Sequence, residues 1–395
     1  MKRPKTFLTL ALGTTMVVVL GLMFATTASA FASSWGWHSQ KDVFVQTDNL
    51  SANSIMVYQR AWNGTLTLAG TYATGGMGGL AAGAAADPLA SQGSLVSADH
   101  GRVLLAVNAG SNTVSLFRVR GDHLWLRQVI ASGGTFPVSI AVHGHLVYVL
   151  NAGVTPVTVP GASSVQGFRL VGSHLAMIPG LSRTVGPTIT SEPFYLASPG
   201  MVGFSPDGAR LVVATKFSGS LIDVFSVGHW GMLSAMAMAN PTAPTAGHVP
   251  FAFSFDPWGR LVVVQVGDSG ISSYGFNPNN SLAFIGAAND AKDAVAASCW
   301  ISRAGHYYFV SNAGSANVSI YQLDHSGMAS LVGAMPTTAA AGTTDSVTTR
   351  DGHFLYVECG GAGVVLAYRI HGDGSLSLIQ TVTGLPIPFE GIALN

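Results

Sequence analysis

Val114-Ser115-Leu116-Phe117 closes a β-like run on an aromatic residue, and the same ending returns along the chain. The other copies are Ile55-Met56-Val57-Tyr58, Val165-Gln166-Gly167-Phe168, Ile222-Asp223-Val224-Phe225, Ile271-Ser272-Ser273-Tyr274, Val318-Ser319-Ile320-Tyr321 and Val364-Val365-Leu366-Ala367-Tyr368. Repeats of roughly fifty residues are the length of a four-stranded propeller blade. Such a unit cannot bury both faces by itself and must stack on its neighbours. Seven copies therefore predict an all-β chain: a seven-bladed β-propeller of four-stranded antiparallel blades.

Working outward from the aromatic, each repeat reads as an inner strand, a tight turn, an apolar second strand, a Gly/Asn-rich loop, the aromatic-ending third strand, a turn and an outer strand. Phe204-Ser205-Pro206-Asp207-Gly208 shows the first turn: Pro presets the backbone and Gly accepts positive φ. Continuous apolar runs such as Leu211-Val212-Val213-Ala214 follow, as expected of strands buried on both faces. Asn108-Ala109-Gly110-Ser111-Asn112 and Asn312-Ala313-Gly314 are the recurring loops, where Asn and Gly suit left-handed backbone and side-chain-to-backbone bonds.

The chain ends predict how the ring closes. Val43-Phe44-Val45-Gln46 begins on a second-strand pattern with no inner strand before it. Pro388-Phe389-Glu390-Gly391-Ile392-Ala393-Leu394 supplies the missing pattern, matching the inner-strand starts at Pro137 and Pro250. The last residues are thus expected to complete the first blade and cover its edge. Three irregular segments, Gly75 to Gly93, Val154 to Ser164 and Ser182 to Gly200, read as surface insertions, where binding often resides.

Lys2, Arg3 and Lys5, an apolar stretch from Phe7 to Phe24 and Ala28-Ser29-Ala30 have the layout of a secretory signal peptide cleaved after Ala30. The domain reading is a signal peptide over 1–30 and one propeller over 31–395. It predicts a protein secreted or placed on the cell-envelope exterior, periplasmic or extracellular, that meets the membrane only during export. Lys plus Arg and Asp plus Glu both number 18, so no basic field attracts nucleic acid. Cys299 and Cys359 are the only cysteines; a single disulfide and two buried thiols are both open. His143-Gly144-His145 lacks companion ligands, and neither a metal nor another cofactor is expected. A monomer is favoured.

The turn Phe204–Gly208, the loop Val107-Asn108-Ala109-Gly110-Ser111-Asn112-Thr113-Val114-Ser115, the segment Val310-Ser311-Asn312-Ala313-Gly314 and the turn Gly372-Asp373-Gly374-Ser375-Leu376 resemble the seven-bladed lactonase-like family. That family includes cycloisomerase-type 6-phosphogluconolactonases and carboxymuconate-lactonising enzymes; the chain also resembles the wider group of YVTN surface-repeat propellers. The resemblance implies an active site on the face formed by the loops between blades and after second strands. It implies hydrolysis of a cyclic ester (a lactone) and a small polar or acidic ligand. Many members carry a Gly-Pro-Arg-His-type segment before an inner strand. Here Gly247-His248-Val249-Pro250 stands in its place, with the His displaced and the Arg absent. The alternative is a non-catalytic extracellular binding or scaffold propeller of the YVTN-repeat type.

Lactone hydrolysis needs a group that activates water and a donor that stabilises the oxyanion. Aligned strand ends place His248 as candidate base, Lys216 as electrostatic stabiliser, and Glu390 as the group that orients either or acts as base. Asp268 and Glu358 on the same face, with Glu192 and Asp345 in longer loops, are the candidate ligand-binding residues. Against these roles stand a turn histidine, a loop-capping Asp268, and solvated charges or pairing between blades for Lys216 and Glu358.

Overall fold

The computed structural model describes residues 42–153, 161–190, 193–242, 248–290, 297–337 and 342–395, all within the compact unit Ser39–Asn395. The expected leader, Glu192 and most of the Val154 to Ser164 insertion lie outside these residues. The described residues form seven four-stranded sheets, and every strand pair is antiparallel. Blade 1 contains Val43–Gln46, Ser54–Arg60 and Leu66–Ala73; blades 2 to 7 begin at Leu95–Ala98, Pro137–His143, Met201–Phe204, Pro250–Phe255, Ser298–Ala304 and Thr343–Thr348.

Ile392–Leu394 is the innermost strand of blade 1, where the sequence places it. Val43, Phe44 and Val45 face Leu394, Ala393 and Ile392, and the Gln46 amide donates to the Gly391 carbonyl at 2.8 Å. Asn395 clamps the end: its Oδ1 accepts from the Asp42 amide at 2.7 Å and its Nδ2 donates to Asp42 Oδ2 at 3.1 Å.

All seven repeat aromatics, Tyr58, Phe117, Phe168, Phe225, Tyr274, Tyr321 and Tyr368, lie on third strands and are at most 2% exposed. In every blade but the fourth, the pairing of third and outer strands slips in register at the aromatic. A bulge there bends and twists the outer hairpin, so the aromatic marks a backbone device as well as a packing position. The second strands are buried on both faces. In blade 4, Leu211 and Val213 join the core shared with blade 3, while Val212 and Ala214 pack against Leu261 and Val263 of blade 5. The loop asparagines brace backbone and neighbouring side chains: Asn108 Nδ2 donates to Thr113 Oγ1 and Ser115 Oγ, and Asn312 Nδ2 to Ser319 Oγ. Cys299 and Cys359 are buried free thiols.

The Gly75 to Gly93 segment departs from the surface-insertion reading, because residues 87–92 are buried. The Gln92 amide donates to the Gly200 carbonyl of the approach to blade 4, and the Gln92 side chain exchanges two bonds with Ile301 of blade 6. Ser139 of blade 3 donates to the Gln92 carbonyl, and Trp300 Nε1 of blade 6 to the Ser91 carbonyl. A segment bonded to blades 3, 4 and 6 together crosses the ring at its axis; it is a plug in the central channel. Its small residues let it thread between inner strands, and its buried backbone groups find partners there. A Cβ at Gly360, on the far side, would collide with the Ala86 and Phe389 carbonyl oxygens.

Candidate functional site

Four inner strands carry an extra residue where they face the axis. The register slips across Val138 in blade 3, Phe251–Ala252 in blade 5, Cys299 in blade 6 and Thr344–Asp345 in blade 7. Bulges re-aim side chains, and these aim theirs at the plug and at a cavity beside it. The cavity holds about 410 Å³ between blades 4, 5 and 6. Its walls include Val249, Phe251 and Val266 of blade 5, Trp300 of blade 6, and Leu196 of the Ser182 to Gly200 insertion; Ala84–Ala86 of the plug form another side. The Phe251 and Trp300 rings meet edge-on with centroids 5.0 Å apart.

Lys216, Asp87 and Cys299 also line the cavity. Lys216 sits in the left-handed region at φ 53°, after the second strand of blade 4, and is 1% exposed. Its Nζ donates to the Ala90 carbonyl at 2.5 Å, the Tyr195 carbonyl at 2.6 Å and Ser198 Oγ at 3.2 Å. These three acceptors match the three N–H groups of an ammonium, and the Phe251 ring lies 5.0 Å from the nitrogen. Burial pulls the Lys216 pKa down to about 7, with the Asp87 charge acting against it. Asp87 accepts the amides of Leu89, Ala90 and Ser91 at 2.8–2.9 Å; burial raises its pKa to about 6 despite those bonds. Burial also pushes the Cys299 thiol up, which keeps it neutral.

His248 and Asp268 are brought together, with His248 Nδ1 against Asp268 Oδ2. The imidazole is largely buried and Asp268 is partly open to solvent. Burial lowers the His248 pKa, favouring the neutral ring a general base needs. Glu390, Glu358 and Asp345 gather elsewhere, deep in the channel around the closing strand, and line neither the cavity nor the His248–Asp268 pair. The three candidate catalytic groups thus occupy three environments: Lys216 in the cavity floor, His248 beside it, Glu390 in the channel. The oxyanion role expected of Lys216 would require it to break one of its three bonds.

Sequence reasoning missed Asp87, Asp48, Phe251 and Trp300. Asp87 carried a usable signal, as the only charged residue between Gly75 and Gly93. A lone carboxylate in an apolar segment needs a buried partner or solvent.

The chain has the fold of lactonase-like seven-bladed propellers. The periplasmic gluconolactonase PpgL of Pseudomonas aeruginosa superposes with a TM-score of 0.69 at 17% identity, over 90% of this chain and 98% of that one. A Bacteroides uniformis protein, provisionally assigned as a 6-phosphogluconolactonase, superposes with a TM-score of 0.67 at 19% identity, over 90% and 99%. A Bacteroides fragilis protein with the same provisional assignment gives 0.67 at 16% identity, over 90% and 98%. No family model matches the sequence, and no curated protein matches it.

Proposed function

We propose that this lactonase-like propeller is exported and binds a small molecule with a mainly apolar body in the cavity between blades 4, 5 and 6. One observation carries the reading: the charged side chains of the cavity floor and the Trp300 indole already have partners. Lys216 and Asp87 are bonded within the plug region, and Trp300 Nε1 is bonded to Ser91. What the cavity offers a ligand is therefore aliphatic and aromatic wall, which favours an apolar body over the small polar or acidic ligand expected from the resemblance. The periplasmic location of the Pseudomonas relative supports export.

Calorimetric titration tests this with γ-decalactone as an apolar probe and glucono-δ-lactone as a polar one. The apolar lactone is expected to bind more tightly, and Val266→Asp to weaken it about tenfold or more by placing a carboxylate in the wall. Tighter binding of the polar lactone, or indifference to Val266→Asp, contradicts the reading.

A second reading is lactone hydrolysis, favoured by the His248–Asp268 pair, a base held by a carboxylate. Val249 and Val266, close in sequence to the two members, line the cavity. On this reading His248→Ala lowers turnover of the bound lactone about 100-fold or more without changing its affinity. Equal rates for wild type, His248→Ala and buffer leave binding as the function.

A further inference from the structure

Five carboxyl side chains end in the channel around the plug and the ring closure. Asp48 follows the Val43–Gln46 strand, Asp87 belongs to the plug, Asp345 and Glu358 come from the first two strands of blade 7, and Glu390 precedes the closing strand. None is more than 6% exposed. The charged groups acting on them are one another and, for Asp87, Lys216. Among the described residues the remaining titratable neighbours are the thiols: Cys299 near Lys216 and Asp87, and Cys359 near Glu358.

The cluster holds the closure directly. The Glu390 amide donates to Asp48 Oδ2 at 3.0 Å, the Gly391 amide to Glu358 Oε2 at 2.9 Å, and Gln46 Nε2 to Asp48 Oδ1 at 2.6 Å. Asp345 Oδ1 accepts the Ser346 amide at 2.7 Å, and the Gln92 side chain and Gly93 amide of the plug are close enough to Asp345 to favour its charged form. Glu358 Oε1 and both carboxyl oxygens of Glu390 are buried with no hydrogen-bond partner among the described residues. An ionised carboxylate stripped of water, without donors and beside other carboxylates, is strongly disfavoured; a protonated one is a tolerable buried group.

We propose that this cluster is a proton-operated latch on the ring closure. With its carboxyls protonated, the closing strand and plug stay docked; with their ionisation, mutual repulsion loosens both from the channel. Burial sets the range. It raises Asp48 from 3.8 to about 8, Asp345 to about 7 and Asp87 to about 6, and holds both glutamates well above 4.5. Each folded-state value lies above its unfolded one, so the native protein keeps protons that the unfolded chain has released. Their stabilisation is complete below about pH 4 and is lost as pH rises through the folded values. Lys216 runs the other way, lowered from 10.5 to about 7, and recovers stability above neutrality as one group against five.

The experiment compares melting temperature and amide exchange of Ile392–Leu394 at about pH 5 and about pH 8. The melting temperature is expected to fall by about 5 °C or more at the higher pH. Exchange in the closing strand should accelerate beyond its intrinsic pH dependence. The double variant Glu358→Gln/Glu390→Gln, which keeps an acceptor for the Gly391 amide but cannot ionise there, should lose most of that fall. A flat or rising wild-type profile overturns the proposal, as does an undiminished fall in the double variant. Should the variant not fold, the wild-type infrared spectrum at neutral pH decides: carbonyl bands of protonated carboxyls support the latch, and their absence overturns it.

Discussion

Deletion of residues 391–395 is expected to destabilise the whole ring by about 5 kcal/mol or more. The deletion removes the buried Ile392 and Ala393, the pairing of both with blade 1, and the Asn395 clamp on Asp42. It also removes the Gly391 amide that Glu358 accepts, leaving that carboxyl with one more unpartnered oxygen. The free edge of Val43–Gln46 becomes a template for pairing with other chains, so lost stability and aggregation should appear together. Denaturant unfolding and size-exclusion chromatography read both effects. An unchanged midpoint for a monodisperse deletion variant would show that the ring closes by other means.

The second large effect is expected at Lys216. Lys216→Met leaves the Ala90 and Tyr195 carbonyls without their donor and Asp87 without its cation, a loss of about 3–5 kcal/mol for one partner removed from a buried charged network. A catalytic lysine free in an open cleft would behave differently, since its replacement costs activity and little stability. Lys216→Met/Asp87→Asn should recover part of the loss, because the uncompensated carboxylate is gone while an acceptor for the plug amides remains. Urea unfolding of the three proteins measures this. A stability change within about 0.5 kcal/mol for Lys216→Met, the range of an ordinary surface substitution, would overturn the tether role.

The seven aromatics and the closing strand were legible because repetition and period-two patterning report backbone architecture. Tyr58 to Tyr368 recur, and Pro388 to Leu394 fills a gap that counting exposes. The plug was not legible, for a physical reason. Gly75 to Gly93 has no hydrophobic periodicity, and its burial rests on small size and on backbone groups that Asp87, Ser139 and Trp300 satisfy. The site residues were found one by one but not as groups. Strand-end alignment puts Lys216, His248, Glu358 and Glu390 on one face, yet depth along the channel separates them. Residue type says nothing of that depth: Glu390 and Asp268 are both carboxylates near strand ends, one sealed in the channel and the other partly open beside an imidazole.

The central claim is that ligands enter between blades 4, 5 and 6 beside the plug. It is tested most directly by the indole N–H signals of ¹⁵N-tryptophan-labelled protein during titration with γ-decalactone. The Trp300 signal, assigned through Trp300→Phe, is predicted to shift saturably. Trp62, Trp230 and Trp258, exposed on turns at the opposite ends of the strands, should not move. A saturable shift at Trp258 with Trp300 unmoved, or no shift at any tryptophan, would contradict it.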